Sequence, residues 1–401
     1  MTQWLSIIGM GEDGYEALSA AAQSSLQKAE IIIASERMFE MLPALKAERH
    51  LWPQPFSAVY EQVKAFAGRR TVLLATGDPM NFGVARKIFE IAPRDDIAVI
   101  PHLSAFSLAA ARMGWSIPDC DCFTIHGRPA ANLETFIQPD ARLLVLTQDE
   151  TSVAEACRRL IARGFEASRI AVLENMGGPQ ERVTHFTAAQ NPALDWSPLN
   201  TLAIHCIASP NAKIWSRVAG LPDEAFVHDG QLTKREVRAA TLSALAPAPD
   251  QMLWDVGAGC GSIAIEWMRS TRGCEAIAIE HDEARCAMIA QNIDQFGTPR
   301  LKLVEGEAPA ALAGLARPHA VFIGGGIGVP GVFEAAWDAL LPGGRMVANV
   351  VTIEGEMHLY DLQGKHGGEL TRIEVSRLEP VGKFRALKPK MAVTQWRTVK
   401  P

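Results

Sequence analysis

No apolar run in this 401-residue sequence approaches the ~18 to 20 uninterrupted residues that cross a bilayer, so a membrane-spanning helix is not expected. The first ten residues are apolar but carry no basic stretch, and Glu12 and Asp13 interrupt them before a small-residue cleavage site. A secretory leader is therefore not expected, and the sequence reads as cytoplasmic. Basic residues are not in excess either: 39 Lys and Arg stand against 45 Asp and Glu, and neither half of the chain is basic. The overall electrostatic footprint of a nucleic-acid binder is missing. Cysteines are few, odd in number and scattered: Cys120, Cys122, Cys157, Cys206, Cys260, Cys274 and Cys286 fit reduced thiols better than a disulfide framework. Cys120-Asp121-Cys122 is the only close pair, with no second Cys or His cluster beside it, so no metal site is expected. No Ser-His-Asp or Cys-His set stands out for nucleophilic catalysis.

What is present is an ordinary globular composition, 48% hydrophobic and 21% charged, over a length that implies two cores. Short β-rich runs alternate with helical stretches: Leu5–Ile8, Ile31–Ala34, Thr71–Ala75, Ile97–Ile100, Leu143–Leu146, Ile170–Leu173 and Leu202–Cys206 read as buried strands of a mostly parallel sheet. This α/β region, residues 1–209, closes near Ser209. Residues 210–228, with Pro210, Gly220 and Pro222, read as a linker. A second α/β unit, 229–401, opens with Thr233-Lys234-Arg235-Glu236, a capping-box pattern, followed by the strand Met252–Val256.

That strand ends in Gly257-Ala258-Gly259-Cys260-Gly261, and Ser262 to Met268 reads as a helix. Glycines in a strand-to-helix turn let a ligand approach the backbone, and the helix start offers unpaired N–H groups. The spacing is G-x-G-x-G, not the G-x-G-x-x-G of a dinucleotide site. The next strand, Ala276–Ile279, ends at Glu280, whose carboxylate either accepts the two ribose hydroxyls of a nucleoside or is a solvated strand-end charge. With Asp229 to Arg238, Val304 to Pro309, Val321 to Gly326 and Leu341 to Arg345, this region resembles the class I methyltransferases, and within them the decarboxylating precorrin methyltransferase domain of cobalamin biosynthesis. The resemblance implies a Rossmann-like fold and S-adenosylmethionine contacts from Thr233, Gly257, Ala258, Gly259, Cys260, Gly261, Glu280 and Ala308, with Glu307 facing the adenine edge. Glu280 and Glu307 stand where relatives often carry Asp. Phe322-Ile323-Gly324-Gly325-Gly326 replaces the polar motif that serves amine or nucleobase acceptors.

In the first region Gly9-Met10-Gly11-Glu12-Asp13-Gly14 formally spells a dinucleotide fingerprint, but Glu12 and Asp13 would put two negative charges where a pyrophosphate must sit. Together with Ala75 to Gly83 and Pro101-His102-Leu103-Ser104-Ala105-Phe106-Ser107, this segment resembles the tetrapyrrole methylase family. The resemblance implies a two-lobed fold with S-adenosylmethionine in a cleft between the lobes, contacted by Gly9, Gly77, Asp78, Gly83, Ser104 and Ala105. His102 departs from the family pattern by replacing a glycine, and Ala105 lacks a hydroxyl. His102 reads either as a general base or as a loop-packing residue, and Asp78 either as a cofactor contact or as a helix N-cap.

The two folds joined in this order resemble the bifunctional, decarboxylating precorrin methyltransferases of cobalamin biosynthesis. That implies two S-adenosylmethionine sites, a tetrapyrrole substrate methylated at ring carbon 5 by the first domain and ring carbon 15 by the second, loss of the ring C acetate carboxyl to give precorrin-8, and a homo-oligomer without nucleic-acid or membrane partners. Lys383, Arg385, Lys388 and Lys390, between expected strands Glu374–Val381 and Met391–Arg397, are candidates for binding substrate carboxylates, or are lysines guarding a sheet edge. Asn349, Thr352 and Glu354, after the strand Arg345–Val351, are candidates for the acetate site by position. Two rival readings remain at this stage: an RNA or small-nucleoside methyltransferase, and a single active domain beside a non-catalytic tetrapyrrole-binding one.

Overall fold

A computed structural model describes residues 3–401. The chain divides into two compact units, one comprising residues 1–130 and 136–213, the other 131–135 and 214–401.

The first unit has two five-stranded sheets. Strands β1 (Leu5–Met10), β2 (Ile31–Ala34), β3 (Glu48–Leu51), β4 (Thr71–Thr76) and β5 (Ile97–Ile100) form the first, all parallel, in the order β3-β2-β4-β1-β5. Isoleucine-rich runs such as Ile31-Ile32-Ile33 are buried on both faces because apolar layers cover the sheet from either side. The carboxyl ends of the three neighbouring strands β4, β1 and β5 therefore lie side by side, and the three motif loops that follow them converge there.

The second sheet holds β6 (Asp121–Thr124), β7 (Arg142–Leu146), β8 (Arg169–Glu174), β9 (Arg182–Thr187) and β10 (Asn200–His205), in the order β6-β7-β10-β8-β9. Here the expectation of mostly parallel pairing fails. Only β6 and β7 are parallel; β10 inserts antiparallel between β7 and β8, and β8 pairs antiparallel with β9. The stretch 175–181 is too short to carry the crossover a parallel β8–β9 pair requires. A buried apolar run announces a strand but not its direction.

The second unit is a seven-stranded sheet with a protruding hairpin. Strands β11 (Met252–Val256), β12 (Glu275–Glu280), β13 (Lys302–Glu305), β14 (Ala320–Ile323), β15 (Arg345–Val350), β16 (Glu369–Ile373) and β19 (Val393–Val399) run β13-β12-β11-β14-β15-β19-β16, with β19 antiparallel to both neighbours. The order reverses at β11, between β12 and β14. That is the switch point where an open α/β sheet leaves a crevice. The remaining strands, β17 (Ser376–Val381) and β18 (Phe384–Pro389), pair only with each other.

Two expectations are corrected in this unit. Residues 210–228 do not form a linker throughout: Trp215, Leu221 and Phe226 are buried in the core beneath the helix Ser262–Ser270, and the Glu266 carboxylate accepts the N–H groups of Gly220 and Leu221. Thr233 does not cap the following helix, which spans Arg235–Leu245 with Lys234 at its N-cap and no side-chain cap. The Thr233 carbonyl instead accepts from Arg238, and Glu236 pairs with Arg377 on β17.

Candidate active site

In the second unit the turn after β11 is built by glycines at φ +69° (Gly257), +58° (Gly259) and +78° (Gly261), conformations that residues with a Cβ adopt only under strain. A Cβ on Gly257 would stand 3.4 Å from the backbone N and O of Gly325, so the glycine run after β14 faces the glycine turn after β11. Gly325 and Gly328 have open space where a Cβ would project. The result is a backbone-lined crevice at the switch point, continued by the N-terminus of the helix Ser262–Ser270.

Two buried carboxylates brace this turn. Glu280 accepts from Gly259 N–H through Oε2 at 2.8 Å and from His281 and Asp282 N–H through Oε1 at 3.0 and 3.1 Å. Three backbone N–H groups on a 2% exposed side chain show that Glu280 is not a solvated strand-end charge; it braces the turn, and Oε2, which accepts only one of the three, keeps acceptor capacity for a ligand hydroxyl. Asp255, 1% exposed, accepts from Ala264 N–H through Oδ2 at 3.0 Å, and its Oδ1 finds no partner. Burial, reinforced by the nearby Glu280 charge, pushes its carboxyl up to about 7 against the pull of the Ala264 N–H. Sequence reading missed Asp255, although its place just before the glycines was visible.

Of the other residues expected at this site, Ala258 lies in the turn, whereas the Cys260 side chain is buried in the core and its carbonyl accepts from Asn292. The loop carrying Thr233 passes over the turn: Gln231 O lies 3.5 Å from a Cβ placed on Gly259, and Arg285 holds Asp229 and Gln231 at 2.9 and 2.8 Å. Glu307 is exposed and Ala308 half-buried, following β13 beside the same crevice. Asn349 donates to Thr241 Oγ1 at 2.8 Å and accepts from Gln395 at 2.9 Å, near the carboxyl end of β15. Thr352 caps the helix Ile353–His366 by accepting from Gly355 N–H at 3.1 Å, and Glu354 lies exposed in that helix's first turn.

The four cations lie on or beside a hairpin, not in a loop. Lys388 and Lys390 both pair with Glu379, while Lys383 and Arg385 make no ion pair among the described residues.

In the first unit, a Cβ on Gly9 would lie 1.9 Å from Gly77 O and 2.6 Å from His102 N, so only glycine lets β1 pass between the loops after β4 and β5. Those loops are tied together by His102 N–H to Gly77 O at 3.3 Å and Gly77 N–H to Met10 O at 2.9 Å. Ser104 is the N-cap of the helix Ala105–Met113, accepting from Ser107 N–H at 3.1 Å. Asp78 caps no helix; its Oδ1 accepts from Met80 N–H at 2.9 Å within a turn, and Gly83 packs against the Pro79 backbone. Gly77, Ala105 and Leu108 line a cleft whose opposite wall is Leu173, Asn175 and Thr201, residues of the second sheet that no motif announced. The two acids of the first loop are both satisfied: Glu12 pairs with Arg37, and Asp13 with His102 at 3.1 Å.

Two α/β units, each with a glycine-shaped crevice at the carboxyl ends of its strands, have the architecture of the methyltransferase class. A model of tetrapyrrole (corrin/porphyrin) methylases matches residues 5–191, and one of a precorrin methyltransferase domain matches residues 224–400. The precorrin-6Y C(5,15)-methyltransferase [decarboxylating] of Sinorhizobium sp is 44% identical over 99% of this chain and 96% of its own length. The protein of the same name from Mycobacterium tuberculosis (strain ATCC 25618 / H37Rv) is 39% identical over 98% and 99%. Among solved structures, the C-terminal domain of precorrin-6Y C5,15-methyltransferase from Rhodobacter capsulatus is 46% identical and covers 46% of this chain and 100% of its own, with a TM-score of 0.44. The chain belongs to the precorrin-6Y C(5,15)-methyltransferase (decarboxylating) family. Methyltransferases of this family use S-adenosylmethionine, and the open, backbone-lined crevice at Gly257–Gly261 fits such a nucleoside. Among the described residues, no helix is long and apolar enough to cross a membrane.

Proposed function

We propose that the protein binds S-adenosylmethionine at two sites, one per unit, methylates a precorrin-6Y-type tetrapyrrole at ring carbons 5 and 15, and decarboxylates its ring C acetate to give precorrin-8. The first unit acts at carbon 5; the second acts at carbon 15 and on the acetate. The observation that carries this reading is the end-to-end match to two-domain relatives of that name, each half of which here retains a glycine-lined crevice.

S-adenosylmethionine supplies an electrophilic methyl on a sulfonium. The chain's residues do the rest: the glycine turns admit the cofactor to the backbone, and the first-unit cleft between Ala105 and Thr201 takes it between two lobes. A reduced tetrapyrrole is nucleophilic at its meso carbons, so alignment carries most of the rate and no activated side-chain nucleophile is needed. Lys383 and Arg385 are the substrate-carboxylate cations of this reading, since Lys388 and Lys390 are already held by Glu379. Asn349 is the candidate for the acetate site, with Thr352 and Glu354 at the adjoining helix start. Exposed Phe384 and Leu387 on the hairpin support self-association into a homo-oligomer, and the work is assigned to the cytoplasm.

The test incubates the full chain anaerobically with the precorrin substrate and methyl-labelled cofactor and counts methyls by mass and position. Wild type should add two methyls and lose one carboxyl. Gly257→Val should abolish transfer to carbon 15 only, and Gly77→Val transfer to carbon 5 only. One site variant that removes both methyls would overturn the two-site reading, and transfer to RNA instead of tetrapyrrole would overturn the substrate.

A further inference from the structure

The first-unit loop Gly9–Gly14 carries two carboxylates that a cofactor-binding loop has no evident use for, and the structure treats them differently. Glu12 is neutralised by Arg37 from the short helix Glu36–Glu40. Asp13 faces His102, with both carboxylate oxygens 3.1 Å from the imidazole Nε2. The imidazole is largely covered, its side chain 14% exposed, and it lies over Gly11, where an added Cβ would meet Asp13 Oδ1 and the ring. Gly11 and Glu12, just before Asp13, and Leu103, next in sequence to His102, line the cleft beside this pair. The loop passes close to the second lobe, where a Cβ on Gly178 would stand 2.7 Å from Glu12 Cβ. Asp78, the remaining acid nearby, spends its Oδ1 on Met80 N–H.

A carboxylate on Nε2 fixes the tautomer: Nε2 carries the hydrogen and donates it to Asp13, and Nδ1 keeps its lone pair. Nδ1 has no protein partner among the described residues. This is an acceptor with its orientation fixed and its developing positive charge already countered.

We propose that His102 is the general base of the carbon-5 methylation and that Asp13 is its positioning residue. This rests on the reading that the first unit methylates carbon 5. As the ring carbon attacks the methyl, a carbon–carbon bond forms and the carbon–sulfur bond breaks, its electron pair passing to sulfur to leave a neutral thioether. The enamine nitrogen of the ring becomes an iminium, and the cation returns to neutrality by losing a ring proton. His102 Nδ1 takes that proton, Asp13 stabilises the imidazolium, and solvent removes the proton afterwards. The alignment of methyl and carbon needs no base, but the base prevents the methylated cation from reverting.

The experiment uses the full chain, with carbon-15 transfer as internal control. His102→Gln should slow carbon-5 transfer by ~100-fold or more and leave carbon-15 transfer and the affinity of the first site for S-adenosylhomocysteine unchanged. Added imidazole should partly restore His102→Ala. A readout independent of turnover is the nitrogen spectrum of the histidine-labelled protein: wild type should show His102 protonated at Nε2 alone, and Asp13→Asn a mixture of tautomers. Unchanged carbon-5 transfer in His102→Gln would overturn the proposal, as would a loss matched by lost S-adenosylhomocysteine affinity. Absence of carbon-5 transfer in the wild type would instead remove the functional reading beneath it.

Discussion

Asp255 shows at the scale of one residue what a motif hides. Its carboxyl lies in the core under the glycine turn, where one oxygen accepts a single N–H and the other nothing. Burial moves it from an ordinary 3.8 up to about 7. The unfolded chain ionises this group near its ordinary value, so between about 4 and 7 the folded protein holds a proton the unfolded chain has released. The folded state is therefore penalised progressively as pH rises through that window, reaching on the order of 4 kcal/mol at most above it. Asp255→Asn, which keeps an acceptor for Ala264 N–H, should lose less stability than wild type between pH 5.5 and 8.5 in urea denaturation. Parallel falls in the two proteins would mean Asp255 ionises as an exposed carboxyl does. Gly9 gives the opposite kind of residue-scale prediction, because no chemistry is involved, only volume. Gly9→Ala places a methyl inside van der Waals contact with the Gly77 carbonyl, should cost about 3 kcal/mol, and should remove carbon-5 transfer before carbon-15 transfer. The glycines of both loops were legible in the sequence because spacing is a local property. The Asp13–His102 pair and the bracing by Glu280 were not, since Asp13 and His102 lie in loops after different strands and Glu280's partner Gly259 follows the neighbouring strand.

Among elements, the helix Arg235–Leu245 is held by one arginine. Arg238 is fully buried and donates to Glu266 at 2.6 Å, to Asp223 at 3.2 Å, and to the carbonyls of Thr233 and Leu221, with its guanidinium 4.8 Å from the Phe226 ring centroid. Arg377 on β17 extends the network through Asp223 and Glu236. Removing the central cation strands the buried Glu266 charge, so Arg238→Ala should destabilise the second unit by about 3–5 kcal/mol. Arg238→Lys should recover little, because an ammonium cannot reproduce a planar fork with four partners. The unit's tryptophan fluorescence during denaturation reports both. The capping-box pattern at Thr233 pointed to the right helix and the wrong residue: the pattern is local, whereas the helix start is set by where Arg238 must reach. Thr352 was placed near the chemistry by position alone, and the structure shows it satisfying a helix end. Thr352→Ala should cost about 1 kcal/mol and Thr352→Ser almost nothing. A loss of carbon-15 transfer in both, without that difference in stability, would restore a catalytic role.

For the molecule as a whole, composition and alternation made a two-unit α/β chain legible, and the strands at Ile31–Ala34, Ile97–Ile100 and Met252–Val256 lie where the apolar runs put them. Two things stayed hidden: strand direction in the second sheet, which depends on connections rather than on burial, and the lower edge of the second unit. Pro210, Gly220 and Pro222 look like a linker because turn formers dominate the local pattern, yet Trp215, Leu221 and Phe226 in the same stretch are core residues. Their burial amounts to roughly 6 kcal/mol at about 2 kcal/mol each, comparable with the whole stability of a domain, and Asp223 adds a partner for Arg238. A fragment covering 214–401 should therefore unfold cooperatively, whereas one covering 229–401 should lack a cooperative transition and expose its tryptophans. Neither contains residues 131–135, so the difference between the two isolates the segment 214–228. Equal stability of both fragments would mean that these aromatic residues only coat the core, and the unit would then begin where the turn formers end.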